Sequence, residues 1–220
     1  MPPQQTFSGD KKFGVSILGA LEKKLILWIV PKVPQWIHTY HLTLSTLLWS
    51  GGIILFSFLA RENIQWLWLV SLMIFFQYVT DSIDGTLGKM RNTGLVKWGF
   101  YMDHFLDYLF LCSILIGYAI LLPETHNQPL FFILAVCGGF MVHSFLAFAA
   151  TNRFSITFLG IGPTELRLLF IAINTILIQL GKTHLAASLP YVLGFCVIGL
   201  IVVVYKAQKE IWDIDMQNKK

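Results

Sequence analysis

Six long apolar runs, each followed by a polar break, are the feature that most limits how this chain can fold. We place them at about 41–60, 64–84, 98–122, 129–150, 165–181 and 187–205. Each has roughly the 20 residues that a helix needs to cross the hydrocarbon core of a bilayer. Only 13% of the chain is charged, whereas soluble domains carry about 25%. The sequence therefore predicts an all-α integral membrane bundle of six transmembrane helices.

The segment ahead of the first run is amphipathic. Between Lys11 and Val33 apolar residues mix with lysines, and no uninterrupted stretch is long enough to span. This pattern predicts a basic amphipathic helix lying in the membrane interface, ended by Pro31 and Pro34; the alternative is an ordinary cytoplasmic helix. We accordingly divide the chain into an N-terminal segment with this juxtamembrane helix, a six-helix transmembrane domain and a C-terminal tail, at 1–40, 41–205 and 206–220.

The basic residues predict the orientation. With the N-terminus in the cytoplasm, fourteen of the sixteen Lys and Arg residues fall on the inner side, and only Arg61 and Lys182 fall outside. Because basic loop residues are retained on the cytoplasmic side, both termini are expected in the cytoplasm, as for a protein of a bacterial inner membrane or its equivalent. The loop from Gly85 to Lys97 then lies at the cytoplasmic face.

Four aspartates flank that loop. Asp81 and Asp84 are three residues apart at the end of the second run. Asp103 and Asp107 are four residues apart in the third run. These spacings place each pair on one helix face, and a carboxylate beside apolar segments has to be paired, hydrated or bound to metal. Antiparallel packing of the two helices would bring all four together at the cytoplasmic face.

Such a cluster fits metal-assisted chemistry on phosphates. Oxygen donors without His or Cys suit Mg²⁺ or Mn²⁺, and a pair of ions about 4 Å apart clamps phosphates during displacement. Gly85 and Gly88 either let a ligand approach or end the helix. Lys89 and Arg91 either bind phosphates or anchor the membrane edge. A divalent-cation transporter is the alternative from another class, but the acids cluster at one face instead of continuing through the bilayer.

The stretch from Asp81 to Asp107 resembles the signature of the CDP-alcohol phosphotransferase (CDP-alcohol phosphatidyltransferase) family, D-x2-D-G-x2-A-R-x8 or 9-G-x3-D-x3-D. All four aspartates are in register with it, as are Gly85 and Gly99. The family's Ala-Arg pair is Gly88-Lys89 here, which keeps the charge but loses the planar guanidinium fork.

A second part of the resemblance lies before the first run. The family often has Pro-Asn there, ahead of a Leu/Ile-Thr pair. This chain has Leu42-Thr43 in the second position, but Thr39-Tyr40 where Pro-Asn is expected.

The resemblance implies a phospholipid-synthesis enzyme that transfers a phosphatidyl group from CDP-diacylglycerol to the hydroxyl of a small alcohol, phosphorylated or not, and releases CMP. It implies that Asp107 is the general base and that two Mg²⁺ or Mn²⁺ ions bind to Asp81, Asp84, Asp103 and Asp107. It also implies a homodimer, with no nucleic-acid partner. The positions that would contact the nucleotide are Thr43, Gly85, Gly88 and Lys89.

Three arginines at the cytoplasmic side are candidates for an acceptor or phosphate pocket by position: Arg91, Arg153 and Arg167. The alternative for each is membrane anchoring or a structural ion pair. Two alternatives remain within the family, namely a CDP-choline- or CDP-ethanolamine-type phosphotransferase that acts on a lipid alcohol and a non-catalytic member. The intact set of four aspartates favours an active enzyme.

Overall fold

A computed structural model describes residues 19–123, 127–155, 162–181 and 183–217 of the chain. The start of the predicted amphipathic helix, before Gly19, lies outside these ranges. The described residues form seven α-helices: α1 (Gly19–Ile29), α2 (Thr39–Leu59), α3 (Leu67–Arg91), α4 (Val96–Leu121), α5 (Gln128–Thr151), α6 (Pro163–Leu180) and α7 (Thr183–Gln217).

Helices α2 to α7 are each long and apolar enough to cross a membrane. This confirms the prediction of an all-α bundle with six transmembrane helices, and it indicates an integral membrane protein. The shorter α1 precedes them and exposes Lys23, Lys24, Leu25 and Trp28. A helix that exposes both lysines and large apolar side chains fits the interface position expected of it.

The helix α3 runs past its predicted end. It continues through Gly85 and Gly88 to Arg91, and Asn92 closes it in the left-handed conformation at φ 48°. Gly88 serves close packing here, because a Cβ at this position would lie 3.3 Å from Thr39 Cγ2 on α2. The loop expected over residues 85–97 therefore shrinks to residues 92–95.

The C-terminal tail begins inside a helix. The residues from 206 to Gln217 belong to α7, which continues without a break from Thr183. At about 1.5 Å per residue, this helix is longer than the hydrocarbon core, so its last turns extend beyond the membrane.

Packing brings the ends of α3, α4 and α6 together. Helix α2 packs against both α3 and α4, α3 packs against α6, and α5 packs against α7. A small buried cluster of Val30, Ile83 and Leu87 holds the chain after α1 against α3. The aspartates of α3 and α4 consequently face the first turns of α6, which is where the site lies.

Candidate active site

Arg167 joins two of the four aspartates. Its Nη2 donates to Asp81 Oδ2 at 2.9 Å and to Asp107 Oδ1 at 3.0 Å. The arginine lies near the start of α6 and is only 5% exposed. Because a buried cation is costly unless it is paired, these contacts make Arg167 the junction that joins α3, α4 and α6.

Gln77 of α3 hydrogen-bonds both Arg167 and Asp107. Its side chain is fully buried; its Oε1 accepts from Arg167 Nε at 2.6 Å and its Nε2 donates to Asp107 Oδ1 at 3.3 Å. Sequence reasoning missed this residue. A signal was present, because Gln77, Asp81 and Asp84 are spaced i, i+4, i+7 and therefore share one face of α3.

The other two aspartates lie beside this pair. Asp84 is buried and accepts a hydrogen bond from Thr43 Oγ1 on α2 at 2.9 Å. Asp103 lies close enough to Asp81, Asp84 and Asp107 to interact electrostatically with all three carboxylates. The structure thus brings the four carboxylates together, as their spacing predicts.

The donor set fits a hard divalent cation. In the described ranges, no three His, Cys, Asp or Glu side chains are already arranged as metal ligands, and the Arg167 guanidinium lies between Asp81 and Asp107. Four carboxylates nevertheless share the site with this one buried arginine, and every donor is oxygen. An excess of anionic oxygen in a site of this kind suits Mg²⁺ or Mn²⁺, so the residues fit the predicted metal.

The predicted nucleotide contacts lie at the start of α2 and the end of α3. Thr43 faces Asp84, while Gly85, Gly88 and Lys89 belong to the last two turns of α3. Lys89 is exposed and lines a groove of about 370 Å³ between α1 and α3. Their role in nucleotide binding stays a prediction.

The three arginines expected near the acceptor have different surroundings. Arg91 donates to the carbonyl oxygens of Ile37 and Val33, both at 2.6 Å, and so fixes the segment between α1 and α2. Arg153 forms an exposed ion pair with Glu210 at 3.2 Å. Of the three, Arg167 is the one whose hydrogen bonds reach the aspartates.

A second polar cluster lies further into the bundle. Tyr118 Oη donates to Asn174 Oδ1 at 3.0 Å, and Asn174 Nδ2 donates to Ser71 Oγ at 3.1 Å. These residues belong to α4, α6 and α3, the same three helices that supply the site. Hydrogen bonds between transmembrane helices stabilise their packing, so this cluster fixes the frame on which the aspartates are held.

Comparison with known families agrees with this geometry. The family model for CDP-alcohol phosphatidyltransferase matches residues 36–205, which contain all six membrane-spanning stretches apart from the end of α7. No curated protein matches the chain. The match covers most of the sequence and includes every residue of the aspartate site, and the chain therefore belongs to the CDP-alcohol phosphatidyltransferase family.

Proposed function

We propose that this protein transfers a phosphatidyl group from CDP-diacylglycerol to the hydroxyl of a small alcohol, which is either free or phosphorylated, and releases CMP. The family supports a transfer of this general type in phospholipid synthesis. The observation that carries the finer proposal is the position of Asp107, whose carboxylate is held by Arg167 and Gln77 beside Asp81.

The proposed reaction needs a base next to the phosphate site. The acceptor oxygen attacks the phosphorus of the phosphatidyl group and forms a new P–O bond, while the bond to the CMP phosphate oxygen breaks. The proton of the acceptor hydroxyl passes to Asp107. A carboxylate within hydrogen-bond reach of the hydroxyl accelerates this step by about 10²–10⁴-fold.

The proposed metal site consists of the four aspartates. Asp81, Asp84 and Asp103 would hold Mg²⁺ or Mn²⁺, most simply as two ions, with Asp107 as a further ligand. When bound, these ions would neutralise the diphosphate and stabilise the departing CMP. Thr43 supports this set from α2, because its hydroxyl orients Asp84.

The two substrates would enter from the cytoplasm. We propose that Lys89 and the nearby Gly85 and Gly88 receive the nucleotide, and that Arg167 and Arg153 attract an anionic acceptor. The charge bias of the loops supports a cytoplasmic site with both termini inside. The proposed homodimer follows from the family resemblance, and its measurement is the mass of the purified particle in detergent.

The test is CMP release by purified protein in liposomes. We expect metal-dependent CMP release from CDP-diacylglycerol with at least one member of a panel of free and phosphorylated alcohols. CDP-choline and CDP-ethanolamine with diacylglycerol form the second arm, and release in that arm alone would contradict the proposed donor. If no CMP is released with either kind of donor and Mn²⁺ enters the liposomes, the result would favour a transporter.

The replacement Gln77→Leu is expected to lower kcat by roughly 10-fold to 100-fold. It leaves Arg167 Nε without an acceptor in a buried site and removes one of the two donors to Asp107 Oδ1. An unsatisfied buried donor costs about 1–3 kcal/mol, and about 1.4 kcal/mol corresponds to ten-fold in rate. Gln77→Glu should lower kcat further, because it adds a negative charge beside Asp107. CMP release measures both effects.

The matched control is Gln65→Leu, because Gln65 is exposed at the other end of α3's apolar stretch. It should keep wild-type turnover. Equal activity in Gln77→Leu and Gln65→Leu would contradict the role of Gln77.

A further inference from the structure

One side chain of the first helix, Glu22, joins α1 to two helices that supply the site. Glu22 of α1 accepts a hydrogen bond from Ser82 Oγ at its Oε1, at 3.1 Å, and from Thr164 Oγ1 at its Oε2, at 3.0 Å. Ser82 belongs to α3, and Thr164 belongs to α6. One carboxylate on α1 therefore connects two transmembrane helices that supply the site.

This connection runs beside the Asp81–Arg167 ion pair. Ser82 directly follows Asp81 in α3, and Thr164 lies three residues, or about one turn, before Arg167 in α6. The same two helices are thus joined twice, first by Arg167 with Asp81 at 2.9 Å and then by Glu22. A shift of α6 relative to α3 would have to break both connections.

The position of α1 is itself fixed against α3. Val30, just after α1, packs with Ile83 and Leu87, and Ile26 and Ile29 of α1 pack against this cluster. Helix α1 lies outside the residues 36–205 that the family model matches. Glu22 therefore connects the N-terminal segment to the transmembrane part of the chain that the family model matches.

We propose that Glu22 is a positioning residue, which holds α6 against α3 so that Arg167 keeps Asp81 and Asp107 in place for the transfer. Through it, α1 in the membrane interface completes the site instead of serving only as an anchor. The inference rests on the proposed function, because its kinetic test uses CMP release. Loss of the two hydrogen bonds that the Glu22 carboxylate accepts is expected to lower kcat by about ten-fold or more.

The kinetic test compares two replacements of the same residue. Glu22→Ala removes both hydrogen bonds and should lower kcat at least about ten-fold. Glu22→Gln should restore most of the activity, because its oxygen accepts from one hydroxyl and its amide donates to the other. The control Glu62→Ala removes an exposed glutamate between α2 and α3 and should retain full activity.

The partners provide the second part of the test. The double variant of Ser82→Ala with Thr164→Val should fall to the level of Glu22→Ala, and adding Glu22→Ala to it should cause no further loss, since all three residues form one unit. Thermal melting and gel filtration establish that each variant is folded. The proposal would be overturned if Glu22→Ala kept full activity or if Glu22→Gln lost as much activity as Glu22→Ala. It would also be overturned if the losses of Glu22→Ala and of the double variant added up in the triple variant.

A cross-link tests the connection without catalysis. Cysteines at Glu22 and Thr164 should be joined by a short bifunctional thiol reagent, and the joined peptides are identified by mass spectrometry. Cysteines at Lys24 and Thr164 are the control, because residue 24 lies on another face of α1. Equal yields from the two pairs would overturn the inference, whereas a wild-type protein that releases no CMP would overturn the proposed function alone. In all these variants Cys112, Cys137 and Cys196 are replaced by Ser, so that the reagent reacts only with the introduced cysteines.

Discussion

The replacement Asp107→Asn is expected to lower kcat for CMP release by about 10²–10⁴-fold, the usual contribution of a general base. Asparagine has almost the same shape, and its side-chain oxygen still accepts from Arg167 and Gln77, which both donate to Asp107 Oδ1 in the wild-type protein. The site should therefore keep its packing and lose its proton acceptor. CMP release in liposomes at saturating metal and acceptor measures the effect.

The control for this prediction is Asp213→Asn, since Asp213 is exposed near the end of α7. It should keep wild-type kcat. The melting temperature of Asp107→Asn should stay close to that of the wild-type protein, which separates a lost base from a lost fold. Undiminished turnover in Asp107→Asn would remove Asp107 as the base, and a lower melting temperature with residual activity scaled to the folded fraction would give it a structural role only.

The sequence predicts the bundle and the aspartate cluster because both depend on local patterns. Apolar run length is set by bilayer thickness, so six spans can be counted without tertiary information. The spacings of Asp81 with Asp84 and of Asp103 with Asp107 fix one helix face each. Their convergence depends on the packing of α3 and α4 against the same helix, α2.

Element ends were less predictable, because they depend on contacts elsewhere in the fold. Gly85 and Gly88 are consistent with the end of a helix, yet α3 continues to Arg91, and Gly88 packs closely against Thr39. The last apolar run ends at residue 205, whereas α7 continues to Gln217. Polar residues after the apolar run mark the edge of the membrane, and they do not by themselves end a helix.

Contacts between distant helices could not be predicted at all. Glu22 and Thr164 are 142 residues apart, and Arg167 and Gln77 are 90 apart. A single sequence carries no information about how α6 is rotated or shifted along its axis relative to α3. The sequence therefore predicts three candidate arginines by position. The packing of the helices shows which of them contacts the aspartates, namely Arg167, whereas Arg91 holds the segment before α2.

The replacement Arg167→Met is expected to destabilise the protein by about 3 kcal/mol, the lower end of the cost of breaking a buried ion pair. Arg167 is buried, but the side chains of Asp81 and Asp107 are 19% and 24% exposed, so water compensates in part for the lost cation. Methionine fills much of the same space, so the loss reflects charge and hydrogen bonding instead of a cavity. The matched control is Arg153→Met, which breaks the exposed pair with Glu210, where the two side chains are 64% and 58% exposed. Exposed pairs contribute about 0–1 kcal/mol. Thermal melting in one detergent compares the two variants.

A second replacement tests whether the ion pair is the cause. Combining Arg167→Met with Asp81→Asn removes a charge that Arg167 no longer balances, so the double variant should be more stable than Arg167→Met alone. The double variant should release no CMP, because Asp81 belongs to the proposed metal set. Equal losses of stability in Arg167→Met and Arg153→Met would contradict this account.

Arg167→Lys separates the structural role of this residue from a role in acceptor binding. Lysine keeps the positive charge but cannot hold Asp81, Asp107 and Gln77 with one planar group, so we expect a smaller loss of stability than in Arg167→Met. If Arg167 also binds the acceptor, the KM of a phosphorylated alcohol should rise in Arg167→Lys while that of its free counterpart changes little, because the phosphate loses a guanidinium donor. An equal change in both KM values would confine Arg167 to holding Asp81 and Asp107, and the acceptor would then be recognised elsewhere in the site.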